Sequence, residues 1–196
     1  KSLMFAFEGG YHGRTLGASA DATSTPFVTT EGGMVIEGEY RQRFRNGGFD
    51  IGGSVAVTNS LDEDAGRGFI TATGDYRLRG GFLAQFDFAA ASDDNFMAQY
   101  DYSDADLLTS TAWISRTRAD EYVELGTVAF QSLRPDEDTG DIPFVFPEFY
   151  YRRLFETPSI GGRLGIGGDA LGILRHSGVN MVRGGGAADW QQPLIL

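Results

Sequence analysis

The stretch MVIEGEYRQRF, Met34 to Phe44, decides how this chain is read. Met34, Ile36, Tyr40 and Phe44 fall on one parity, and Glu37, Glu39, Arg41 and Arg43 fall on the other. Successive side chains of a strand point to opposite faces, so a period of two predicts a strand. One face would be apolar and the other fully charged. The next stretch, GFDIGGSVAVT, repeats the pattern, with Phe49, Ile51, Val55 and Val57 set against Asp50, Ser54 and Thr58. GFITATGDYRL (Gly68 to Leu78) and FLAQFDFAA (Phe82 to Ala90) follow, the latter with Phe82, Phe86 and Phe88 opposite Gln85 and Asp87.

Further strands are expected around Leu107–Thr117, Tyr122–Gln131, Pro143–Leu154, Ile160–Ile173 and Val179–Trp190. Turn signals separate the strands: RNGG at Arg45–Gly48, RGG at Arg79–Gly81, RAD at Arg118–Asp120 and HSG at His176–Gly178. Longer acidic loops lie between the short turns, at Asn59–Arg67, Ser92–Asp106 and Arg134–Asp141. The expected fold is all-β, an antiparallel up-and-down meander of about ten strands forming part of a larger transmembrane β-barrel. A soluble β-sandwich would share the periodicity. Two features favour the barrel. The polar face carries full charges, as a wet lumen would, and the hairpins continue without Greek-key spacing.

Among 196 residues the net charge is −11, lysine occurs only at Lys1 and cysteine is absent. An acidic chain without clustered Lys and Arg argues against a nucleic-acid partner. Without cysteine no disulfide, zinc-thiolate site or thiol nucleophile is available. No stretch reaches the roughly 18 apolar residues of a membrane helix. His12 and His176 lack partners at metal-ligand spacing, and no G-x-S-x-G elbow occurs. The acidic runs Asp62–Asp64 and Asp136–Asp138 supply hard oxygen atoms but not the spacing of a calcium loop. No catalytic residue, metal or cofactor is therefore expected. The glycines of GGRLGIGGDALG recur inside a strand pattern, which fits a bending sheet better than a phosphate-cradling loop.

Two resemblances enter here. FEGGYHGRTLG, Phe7 to Gly17, resembles a segment of the class III pyridoxal-phosphate aminotransferases, with Tyr11 and His12 carrying the likeness. That chemistry requires an internal lysine for the Schiff base, and Lys1 precedes the turn with nothing downstream to replace it. Residues 1–20 are accordingly read as a leader of foreign or uncertain origin, and 21–196 as a partial outer-membrane β-barrel domain. DATSTPFVTTEGGMVIEGEYRQRF, Asp21 to Phe44, resembles the start of the barrel in the LptD family of lipopolysaccharide-assembly proteins. Asp21, Ala22, Thr23, Thr25 and Pro26 carry that match, with Gly33, Glu39 and Arg41 more loosely. ASDDNFMAQYDYSD resembles the family's next motif through Ser92, Asp93, Phe96, Tyr100 and Asp101, and ADWQQPLIL resembles a later strand.

The resemblance implies a non-enzymatic barrel of roughly 26 strands in the cell outer membrane, of which this chain would be about the first third. It implies lipopolysaccharide as the cargo, an LptE-like lipoprotein plug and an LptA-like periplasmic bridge as partners, and no catalysis. A fragment lacking the closing strands would be transport-incompetent by itself. An aminotransferase fragment and a generic porin-like barrel are the alternatives.

Within this reading Pro26 is the lateral-gate candidate, because a proline has no N–H to pair across a seam. Its other role is that of an ordinary edge or turn proline. Ser92, Asp93, Tyr100 and Asp101 form a rim-loop motif, in which Asp and Ser close turns through side-chain to backbone bonds. Glu37, Glu39, Arg41 and Arg43 are lumen charges that offset one another, and the two arginines are candidates for contact with phosphorylated sugar. Two orientations stand. The general rule puts short turns in the periplasm, whereas the family register, with the Asp21 strand second and running downward, puts the long loops there.

Overall fold

Period-two alternation becomes strand backbone in the computed structural model, which describes residues 7–8, 12–17, 19–28, 34–57, 66–137 and 139–192. The strands are β1 (Phe7–Glu8), β2 (His12–Gly17), β3 (Ala20–Val28), β4 (Met34–Phe44), β5 (Gly47–Val57) and β6 (Arg67–Arg77). They continue as β7 (Leu83–Ala91), β8 (Leu107–Thr117), β9 (Glu121–Ser132), β10 (Phe144–Glu156), β11 (Arg163–Leu174) and β12 (Met181–Gln191). All lie in one sheet, and the ten strands from β3 to β12 form an antiparallel meander in chain order. β1 and β2 both pair with β3, on the edge away from β4. Among the described residues no pairing joins β12 back to the first strands, so the sheet is an open arc.

Register carries the alternation across strands. One row runs Arg41, Asp50, Thr73, Asp87, Thr111 from β4 to β8, and the neighbouring row runs Tyr40, Ile51, Ala72, Phe88. Along both rows polar stays beside polar and apolar beside apolar, and a slip of one residue would turn a whole strand over. The apolar face is left uncovered: Ile70 is 45% exposed and Phe88 43%. Water-soluble domains rarely leave so large an apolar patch bare. An 11-residue strand such as β4 is about 34 Å long and, tilted by ~40°, spans roughly 26 Å, close to the ~25 Å apolar band of a membrane barrel. The small core sits on the other face. There the loop after β7 packs Phe96, Met97 and Tyr100 onto Val35 and Ala56.

From Arg45 on, the first six connections alternate between shorter and longer, and the last two, residues 157–162 and 175–180, are equal in length. Arg45–Asn46, residues 78–82, 118–120 and 157–162 turn at one end of the sheet, hereafter the short-turn end; residues 58–66, 92–106, 133–143 and 175–180 connect at the other, the long-loop end. Several expected boundaries shift. Gly47 and Gly48 belong to β5, so only Arg45 and Asn46 turn. The strand expected from Ile160 begins at Arg163, since Gly161 and Gly162 take φ of 73° and 82°, a left-handed backbone that no strand uses. The strand expected from Val179 begins at Met181. Strands also occur before Ala20: Phe7–Glu8 and His12–Gly17 are extended by pairing along the free edge of β3. Tyr11, the acidic run at residues 62–64 and Asp138 lie outside the described residues.

Candidate functional site on the polar face

The charges of β4 sit where the alternation places them. Arg41 bonds Glu39 at 2.9 Å, and Arg43 bonds Asp50 of β5 at 2.8 Å. Both guanidinium groups stay more than half exposed, so each ion pair is screened and contributes little to stability. The Arg43–Asp50 pair borders an open groove of about 420 Å³ lined also by Thr73, Asp75, Asp87 and Trp113. Trp113 lies flat over Gly126, where a Cβ would come within 1.8 Å of the ring. Only glycine fits beneath that indole.

Toward the long-loop end the same face is covered. The loop between β7 and β8 carries a single helical turn, α1 (Phe96–Gln99), and folds inward over the sheet. An aromatic cluster drives this. Phe96 is fully buried, Phe69 and Tyr102 have ring centroids 4.6 Å apart, and Phe96 and Tyr100 4.8 Å apart. Buried aromatic pairs contribute about 0.5–1.5 kcal/mol each beyond their area.

Two polar ties hold the loop. At its base Arg67 grips Asp93 with two bonds, Nε to Oδ2 at 2.8 Å and Nη2 to Oδ1 at 2.6 Å. Arg67 Nη1 also donates to Gln99 at 2.9 Å. Hydrogen bonding from Arg67 holds the Asp93 carboxyl down at about 2, against the opposing effect of partial burial and with help from Ser92 and the Asn95 N–H. At its far side Tyr102 donates its hydroxyl to Glu37 at 2.6 Å and lies 2.9 Å from Ser54 Oγ. Burial, and then the Glu37 carboxylate accepting its proton, keep Tyr102 protonated well above the usual tyrosine range.

The four residues of the expected rim motif therefore take distinct positions. Ser92 donates to Asp93 at 2.8 Å and accepts the Gly68 N–H at 2.9 Å. Asp93 makes the arginine clamp, and Tyr100 is buried at the end of α1. Asp101 takes a left-handed φ of 60°, a conformation tolerated by aspartate, and turns the chain out of the helix. Of the lumen charges, only Glu37 joins this loop; Glu39, Arg41 and Arg43 lie farther along the open part of β4. Pro26 is half-buried opposite Ile36, one position from the Thr25–Glu37 pair, and so borders the Tyr102 tie. On its other side the described pairings flank it, Glu8 opposite Phe27 and His12 opposite Ser24.

Arg67, Ser54 and Tyr102 are absent from the expectations. Arg67 closes an acidic loop as its only base, and that lone charge was a readable signal; the reach of Tyr102 across to β4 was not. Among the described residues no three His, Asp or Glu side chains come together to hold a metal. Residues 66–167, just over half of the chain, match the family model LptD, LPS transport system D. The matched span contains Arg67, Asp93 and Tyr102. No curated protein matches the chain significantly.

Proposed function

The chain belongs to the LptD family of the lipopolysaccharide transport system, and on that premise we propose that it is an arc of an outer-membrane translocon that delivers lipopolysaccharide to the outer leaflet. Its role in lipopolysaccharide transport follows from the family; the route through this arc is our reading. The observation that carries it is the two-faced sheet, apolar and bare on one side, charged and partly covered by an inward loop on the other. In this reading the charged face lines the lumen, Arg41 and Arg43 meet phosphorylated sugar, and cargo leaves beside Pro26, where one N–H is missing from the seam. The residues act by shape and charge, without bond-making chemistry. We read residues 1–20 as a leader of foreign or uncertain origin, paired onto the edge of β3, and 21–196 as the barrel segment. An LptE-like plug and an LptA-like bridge are the partners that family membership favours.

Photo-crosslinking tests this. A photoreactive residue at Thr73 in the full-length barrel, in cells making labelled lipopolysaccharide, is expected to give adducts, and Pro26→Ala, by restoring the N–H and closing the exit, is expected to increase them. A porin-like barrel would give none at Thr73, and that result would overturn the proposal.

A further inference from the structure

The apolar face is not apolar to its edge. At the short-turn end Arg116 of β8, Glu121 of β9 and Arg153 of β10 fall on the same parity as Leu125 and Phe155, and Arg153 lies directly opposite Glu121 in register. We propose that Arg116, Arg118 and Arg153 form a binding site for the phosphoryl group of a net anionic membrane-lipid headgroup. The site rests on the membrane reading of that face, but not on any route for cargo.

Position argues first. Arginine facing lipid is costly at the bilayer midplane and nearly free at the interface. These three lie at the rim, among Phe82, Phe155 and Trp190, the aromatic residues that mark the headgroup level of a barrel.

Charge argues next. The three arginines face two carboxylates, Asp120 and Glu121. Glu121 is only 8% exposed and receives Arg116 at 2.6 Å, with Arg118 standing off at 3.9 Å. Asp120 lies 3.8 Å from Arg153, beyond hydrogen-bond distance. The cluster thus keeps one positive charge in excess.

Geometry supplies the ligand class. Arg116 lies 4.5 Å from the Phe82 ring centroid and Arg153 5.0 Å from that of Phe155. Stacking occupies the face of a guanidinium and leaves its edge donors for a flat or tetrahedral oxyanion. On a surface that meets lipid, that oxyanion is a headgroup phosphate.

The test uses the full-length barrel in detergent, with native mass spectrometry after adding phosphatidylglycerol, lipid A or phosphatidylcholine. Arg118→Gln/Arg153→Gln leaves Arg116 in place, so that Glu121 keeps its partner. Retention of phosphatidylglycerol or lipid A is expected to fall about tenfold, the loss of one or two charge-assisted bonds, and whichever lipid is retained by the wild type identifies the source. Lys at both positions should restore part of it, and unchanged heat-modifiable migration certifies the fold. Equal retention by wild type and the Gln variant, or equal retention of phosphatidylcholine and the anionic lipids, would overturn the site. Crosslinking at Thr73 should be unaffected, so the two proposals fail separately.

Discussion

Replacing Asp93 with Asn removes a charge while keeping shape and one acceptor oxygen. The wild-type carboxylate takes two bonds from Arg67, with the two side chains 33% and 23% exposed. A hydrogen bond to a charged group contributes about 1.5–3 kcal/mol, and partial exposure discounts this, leaving on the order of 1–2 kcal/mol. Since 1.4 kcal/mol is a factor of ten, opening of the 92–106 loop should rise roughly 5- to 30-fold. The assay is amide hydrogen exchange of the full-length barrel in detergent, read over residues 96–103. The sign of the pH effect follows from the depressed carboxyl. Its folded value, about 2, lies below the unfolded value near 3.8, so the stabilisation is present above the unfolded value and lost as pH falls through the folded one. Protection of the wild-type loop should hold from neutral pH to ~4 and decline toward ~2, while Asp93→Asn lacks that decline. Unchanged exchange in the variant, or a wild-type loop already loosened between pH ~7 and ~5, refutes the clamp.

Ala72→Arg faces lipid near mid-strand and should cost ~2–4 kcal/mol in refolding titrations into vesicles, whereas Thr71→Arg, one residue away on the polar face, should be near neutral; equal costs would sink the face assignment. Arg116→Ala removes the one hydrogen-bonded partner of the buried Glu121, leaving Arg118 at 3.9 Å, and should destabilise by up to about 3 kcal/mol, visible as lost heat-modifiable migration. Tyr102→Phe combined with Glu37→Gln should show a coupling energy of ~1 kcal/mol or more in a double-mutant cycle; strict additivity would mean the two groups do not interact.

The strands were legible because a lipid-facing wall and a wet wall impose opposite chemistry on alternate residues, and MVIEGEYRQRF states that contrast without interruption. β12 was harder: Gly184, Gly185 and Gly186 carry no parity, and its pairing with β11 alone fixes its start. The ion pairs along β4 follow from alternation too. The loop was legible only in part. Ser92 and Asp93 announced a turn, but nothing local says that Phe96 and Tyr102 fold inward, since that choice depends on Val35, Ala56 and Phe69, far apart in the chain. The outward arginine cluster escaped notice because Arg116 and Arg153 break the apolar parity at strand ends, where sequence alone cannot separate a strand residue from a turn.

Tyr102 bonds a residue of β4 from the loop that joins β7 to β8, passing over β5 and β6. In mechanical terms that strut turns four strands into a stiff panel. Its margin lies at β4, and β3 with Pro26 stands just beyond it. Compliance is thereby displaced to a single seam. Paired spin labels should keep a fixed separation between β4 and β7 while those across β3 and β4 broaden, a contrast that a uniformly flexible sheet would erase.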